Sequence, residues 1–362
     1  MAPLYLGSAT SDAFYMGGNA VQRIYLGGTE VWAPGGGGSF SLLYGPHQGS
    51  GGSKAAPHLG PNSNFILSLN LSAKQEPYVS VRDTSPANIP FQYIRRLDAT
   101  NSTFSSSSIL SWDDTQPTFG SAVYFNQNFY QFRQFALQGN GSASAIEDTS
   151  GTITSYHMCN PGIGWNITTY TGNGVANSTI GHGCGQEPDL IMVWRTNSTS
   201  SGSTKIYHRG LGKSGFWGSN GSWVTSTSDF NTFTTSTMQT GSFVSQNYNT
   251  NGAQYAMLCF YNVAGKVAVG TLNEAGSGTH SLNLGFTPKV FHSKTPDASF
   301  DYDWRFREAG GTGNTDRYQW AGVNDYQTNE STAVFTATGI DLAAGQKGND
   351  GTNQIIYLAI AE

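Results

Sequence analysis

The stretch "GHGCGQEPDLIMVWR" (residues 181–195) has a counterpart one hundred residues later, "LNLGFTPKVFHSK" (282–294), which sets Gly185 against Gly285 and Pro188 against Pro288. A second pair of segments, "NGAQYAMLCFYN" (251–262) and "GTNQIIYLAIAE" (351–362), sets Gln254 against Gln354 at the same separation. Two independent landmarks at one offset mark a duplicated module. A looser third copy precedes them, with "HLGPNSNFILSLN" (58–70) and "NQNFYQFRQFAL" (126–137); Pro61 to Gln127 spans the same 66 residues as Pro188 to Gln254 and Pro288 to Gln354.

Within the copies the apolar residues follow the period of strands. Phe65, Leu67, Leu69 and Leu71 alternate with polar neighbours, and Phe129, Gln131, Arg133 and Phe135 alternate with Tyr130, Phe132 and Gln134. "DLIMVW" and "YAMLCFY" are apolar on both faces, as central strands are. Turn signals recur roughly every 8 to 12 residues, and helical periodicity with caps is essentially absent. The expectation is an all-β chain in which a short N-terminal β-meander precedes tandem jelly-roll-like β-sandwich modules at 49–140, 141–265 and 266–362.

The head of the chain, "LYLGSATSDAFYMGGNAVQRIYLGGTEVW" (4–32), repeats a smaller unit three times, with Tyr5, Tyr15 and Tyr25 in register. Each decad predicts a strand of about five residues and a turn, with Leu4, Leu6, Met16, Ile24 and Leu26 on one face and the tyrosines on the other. Residues 1–34 form this unit, and a Gly-rich linker, 35–48, follows from "APGGGGSF" (33–40). Three strands this short do not bury enough apolar area to offset about 1 to 2 kcal/mol of backbone entropy per residue. Leu4, Tyr5, Leu6, Tyr15, Met16, Ile24, Tyr25, Leu26 and Trp32 are therefore expected to contact a partner surface.

Composition narrows the function classes. Charged residues are 11% of the chain, against about 25% in an average domain. A net charge of −5 leaves no basic field for phosphates, which argues against nucleic-acid binding. Nothing approaches the roughly 18 consecutive apolar residues of a membrane span, so no membrane insertion is expected. Met1 leads into Ala2-Pro3-Leu4-Tyr5 without a basic and then apolar leader, so synthesis and folding in a cytoplasm are expected. Cys159, Cys184 and Cys259 do not form a disulfide framework, and sequons such as Asn166-Ile167-Thr168 and Asn197-Ser198-Thr199 read as polar surface. With only 18 Lys and Arg to blunt strand edges, neighbouring modules or identical subunits are expected to cover them, giving a homo-oligomer, by analogy a homotrimer.

Few residues suggest chemistry. His157-Met158-Cys159 and His182-Gly183-Cys184 offer a Cys₂His₂ zinc set, but the spacing is not that of a finger and Leu284 replaces Cys184 in the third copy. Cys184 accordingly reads as a small core residue, and neither a metal nor another cofactor is expected. Asp297, Asp301, Asp303 and Glu308 of "DASFDYDWRFRE" form a possible carboxylate pair or calcium site, against a solvated strand in which Arg305 and Arg307 pair with these acids. No nucleophile elbow, P-loop or dinucleotide fingerprint occurs; "GTGNTDR" and "GSGGS" are turn-rich loops, and His182 and His208 read as hydrogen-bonded structural histidines. No catalytic residue is assigned. Trp165, Trp194, Trp217, Trp223, Trp304 and Trp320 stand beside Gly, Asn, Ser and Asp, a composition that suits sugar stacking, with burial in a sandwich core as the competing reading. Trp217, Trp223, Trp304 and Trp320 are the glycan-binding candidates.

Two features resemble known virus proteins. "YLGGTEVW" (25–32) resembles the "YLGS-x-x-VW" units at the amino ends of bacteriophage tail, fibre and other structural proteins. "TYTGNGVANSTIGHGCGQEPDLIMVWR" (169–195), "IYHRGLG" (206–212) and "AQYAMLCFYNVAG" (253–265) resemble a β-rich domain recurring in virion proteins of phages that infect marine bacteria. That family reads Gly-His-Gly-Leu-Gly, then Pro, an aliphatic strand and Lys; Cys184 and Arg195 depart from it, and the third copy lacks the histidine. The resemblance implies a place in a virion, as a tail or tail-fibre protein that docks through its N-terminus onto other virion proteins (portal or adaptor, tail or capsid) and presents its modules to host cell-surface glycan. A head fibre or capsid decoration protein is the close variant. A glycan depolymerase using Asp301, Asp303 or Glu308 is the alternative from another class.

Overall fold

The computed structural model describes strands between residues 15 and 361, and side chains chiefly within residues 145–296, 333–343 and 354–361. Its described secondary structure is β throughout, apart from one short 3-10 turn.

Two hairpins come first. β1 (Tyr15–Met16) pairs with β2 (Asn19–Ala20), and β3 (Ile24–Leu26) with β4 (Thr29–Trp32). Met16 lies opposite Asn19 and Leu26 opposite Thr29, so in each pair only two residues separate the strands. The Tyr15 and Tyr25 decads each hold a pair of strands that closes on itself, not one strand of a meander. Neither hairpin shares a sheet with any other described strand. Leu4, Tyr5 and Leu6, and the side chains of Tyr15, Met16, Ile24, Tyr25, Leu26 and Trp32, lie outside the described residues.

Three copies of one eight-stranded arrangement follow. The first comprises β5 (Leu43–Gln48), β6 (Lys54–Ala55), β7 (Ser63–Asn70), β8 (Tyr78–Val81), β9 (Tyr93–Arg96), β10 (Ile109–Trp112), β11 (Pro117–Phe119) and β12 (Gln131–Gln138). An extra hairpin, β13 (Ile146–Asp148) and β14 (Ser155–His157), then borders the second copy. That copy contains β15 (Trp165–Thr171), β16 (Thr179–Gly181), β17 (Leu190–Arg195), β18 (Lys205–His208), β19 (Lys213–Phe216), an added β20 (Val224–Thr225), β21 (Phe230–Phe233), β22 (Thr237–Thr240) and β23 (Gln254–Phe260). The third contains β24 (Val267–Asn273), β25 (His280–Asn283), β26 (Pro288–Lys294), β27 (Trp304–Glu308), β28 (Arg317–Ala321), β29 (Ala333–Thr336), β30 (Gly339–Leu342) and β31 (Gln354–Ala361).

In each copy the large sheet has the same order: β5-β12-β7-β8-β9, β15-β23-β17-β18-β19 and β24-β31-β26-β27-β28. The small sheets also correspond: β6-β11-β10, β16-β22-β21 and β25-β30-β29. Registers repeat as well, with Leu190 opposite Phe260 and Val290 opposite Ile360, one hundred residues apart, and Phe65 opposite Leu137 in the first copy. The last strand opens on Gln131, Gln254 and Gln354, four residues later in the first copy than the expected Gln127. An even slip keeps every side chain on its face, so the period-2 pattern alone does not fix this register.

Residues 35–48 are not all linker. β5 pairs with β12 from Leu43 opposite Ala136 to Gln48 opposite Gln131, and Gly45-Pro46 had hidden it as a strand. β5 is an edge strand, where a proline is tolerated.

The three sandwiches are not independent beads. Along β17, Ile191 and Val193 face the small sheet of their own sandwich with Ile180, Phe230 and Met238. Leu190, Met192 and Trp194 face the other way, into a cluster shared with Phe65 and Leu137 of the first copy and Val290, Leu358 and Ile360 of the third. In the third copy Phe291 likewise faces inward with Phe335 and Ile340. The central strands are apolar on both faces because one face fills the sandwich and the other the common core.

The backbone approaches that core closely at Gly215. A Cβ added to Gly215 of β19 would fall 2.2 Å from a ring carbon of Trp223, which packs over it. Gly215→Ala is expected to displace the indole and cost about 2 kcal/mol, read as a lower denaturant midpoint; an unchanged midpoint would refute the contact.

Candidate functional site

The Gly-His-Gly-Cys-Gly turn leaves β16 at Gly181. His182 is fully buried; its Nδ1 accepts the backbone N–H of Cys184 at 3.2 Å and its Nε2 lies 3.1 Å from the carbonyl of Thr234. A carbonyl only accepts and a backbone N–H only donates, so the ring is neutral with its proton on Nε2. Burial holds its pKa below the ordinary 6.5. The His182 carbonyl accepts from Asn166 Nδ2 at 3.0 Å and Thr168 Oγ1 at 3.3 Å, tying the turn to β15. In the third copy Asn283 does the local work, its Oδ1 accepting the N–H of Gly285 at 3.0 Å. Gly185 and Gly285 have φ of 72° and 77°, a region few other residues enter, so the backbone turn persists although the histidine does not.

His157 does approach the His182-Gly183-Cys184 turn. A Cβ on Gly183 would meet the His157 ring at 2.5 Å, and His157 Nε2 lies 4.0 Å from Asp148 Oδ2. Both His182 nitrogens are nevertheless engaged, and the buried Cys184 thiol donates to the His182 carbonyl at 3.4 Å. Among the described residues no group of three metal-ligating side chains is assembled, and Cys159 lies outside them. Cys184 and Cys259 are unoxidised residues of the second sandwich core.

A denser polar cluster occupies the seam between the second and third copies. The buried Asp189, just before β17, takes Arg209 Nε (3.0 Å) and Nη2 on Oδ1, and the backbone N–H and Nδ2 of Asn262 (both 2.9 Å) on Oδ2. Arg209 Nη1 also reaches Glu187 at 2.7 Å. Asn262 binds β24 from both ends, accepting the N–H of Val269 at 2.7 Å and donating to its carbonyl at 3.2 Å. Beside it His208 lies 3.2 Å, through Nε2, from the carbonyl of Gly270, while its Nδ1 accepts the N–H of Leu211 at 3.3 Å from the 3-10 turn Arg209–Leu211. The free edge of β24 is thus covered by the second copy. The expectation of structural histidines at 182 and 208 matches these bonds. The Asp189–Arg209–Asn262 network left no sequence signal, since its members lie 20 and 73 residues from Asp189. Nor did the buried pair of Lys205 Nζ and Asp229 Oδ2 at 2.6 Å, with Ser214 Oγ on the same oxygen at 2.8 Å.

The tryptophan candidates divide. Trp223 is 3% exposed and belongs to the common core, which overturns its assignment to a sugar-stacking surface; the apolar faces of three sheets claim the ring first. Trp165 and Trp194 share that core. Trp217 and the side chains of Trp304 and Trp320 lie outside the described residues, as do Asp297, Asp301 and Asp303. Glu308 stands opposite Val290 as His208 stands opposite Leu190, at the equivalent position of the third sheet. Arg307 is buried and donates to Ser293 Oγ at 3.1 Å, so it is not part of a solvated charged face.

Residues 49–362 match the family described as "Domain of unknown function (DUF7483)", and the chain belongs to that family. No curated protein and no solved structure matches it.

Proposed function

We propose that this family member is a structural component of a phage virion, a tail or tail-fibre protein that docks through its first 34 residues and presents its sandwiches to host cell-surface glycan. The observation that carries the reading is the pair of hairpins at 15–20 and 24–32: each is a two-stranded sheet joined to no other described strand, and both precede the family match. An isolated two-stranded hairpin is marginal in water, so a partner strand or surface is the simplest source of its stability. The low charge and the abundance of hydroxyl and amide side chains suit contact with glycans. Assembly as a homotrimer belongs to the same proposal, and light scattering should then give three times the 38.7 kDa chain mass.

Deletion of residues 1–34 tests the docking. Full-length chain mixed with purified particles that lack it should co-sediment with them, and the truncated chain should stay in the supernatant, still folded by circular dichroism. Equal co-sedimentation of both would remove the docking segment from the proposal.

A further inference from the structure

We propose that the seam between the second and third sandwiches is an acid-released latch, opened when the ring of His208 takes up a second proton. The latch is geometric before it is electrostatic. His208 is 1% exposed and its ring is held between the two copies, with the Gly270 carbonyl of β24 on one nitrogen and the Leu211 N–H on the other. These partners accept one protonation state, the neutral ring with hydrogen on Nε2. A proton added to Nδ1 would point at the N–H of Leu211 and remove the acceptor that closes the 3-10 turn.

The surroundings do not compensate the new charge. From the second copy, Asp189 faces the ring, but Arg209 and Asn262 already occupy both of its oxygens; the Arg209 guanidinium repels an imidazolium, and Glu187 is paired with Arg209. Lys213 is directly opposite His208 on β19. From the third copy, β24 presents Gly270 and Thr271, neither of them charged, and Tyr357 of β31 packs over Gly270. Burial, the largest influence, lowers the His208 pKa to about 4.

The sign follows from linkage. An open seam returns His208 to its ordinary value of 6.5, so the open form binds the proton more tightly, and closure is fully favoured above about pH 6.5 and lost as the pH falls toward 4. These two values give an opening constant about 30-fold larger at pH 5 than at pH 8.

Amide hydrogen exchange on the full chain, corrected for intrinsic rates, reads the opening at Leu211, whose N–H is bound to the ring. Exchange over 209–212 should rise about 30-fold between pH 8 and pH 5, with a much smaller change over 237–240 in β22. His208→Gln keeps a donor and an acceptor without a titrating group and should abolish the rise. A flat wild-type profile, the same rise in His208→Gln, or an equal rise over 237–240 would each overturn the latch. Should the variant fail to fold, the wild-type ring resonances decide: titration near pH 4 supports the proposal, and titration near 6.5 with 209–212 still protected overturns it.

Discussion

Trp194→Ala is expected to lower stability by about 4 kcal/mol, and to do so for the second and third copies together. The indole is fully buried at the end of β17, edge-on to Phe65 of the first copy with ring centroids 6.4 Å apart, in the cluster that also holds Val290 and Ile360. Truncation leaves a cavity in a cluster to which all three copies contribute, and close-packed neighbours fill it only in part. Had the copies been independent, only the second would unfold at lower denaturant. Because the core is shared, exchange protection in β31 should fall along with that in β23; protection retained in β31 would refute a common core. Trp194→Phe sharpens the test. Among the described residues nothing accepts the Trp194 indole N–H, and an unmet buried donor costs about 1 to 3 kcal/mol, so phenylalanine should recover most of the loss.

Asp189→Asn is expected to cost about 3 kcal/mol, since each carboxylate oxygen accepts two hydrogen bonds and the amide presents N–H groups to at least one pair of donors. Arg209→Ala should cost only about 1 kcal/mol, because the Arg209 side chain is 42% exposed and water replaces much of what it gives Asp189. Urea midpoints for the two variants decide between a buried acceptor for Asn262 and a mainly ionic clamp. Equal losses, or a larger one for Arg209→Ala, would favour the clamp and contradict the geometry.

The second and third copies were legible because their repeat is undisturbed from Gly185 to Gln254 and from Gly285 to Gln354. The first was legible only in outline. Its Gln127 and Gln131 both satisfy the alternation, and Gly45-Pro46 masks an edge strand that hydrogen-bonds in spite of the proline. The expectation of hydrogen-bonded histidines at 182 and 208 agrees with the bonds that both rings make. Trp223 was misplaced because polar neighbours in sequence say little about what lies across the fold, and Arg307 stands among acids in sequence while its bond runs to Ser293 on the next strand.

Alternation of side chains and an exact repeat length are local properties of a chain, and they sufficed for the all-β class and the triplication. Which face of each large sheet turns toward the other two, and where Asp189 and His208 find Asn262 and Gly270, depended on packing among segments far apart in sequence. A strand that is apolar on both faces carries the same pattern whether its second face meets a neighbour in the same chain or in another, so the common core came only from tertiary structure.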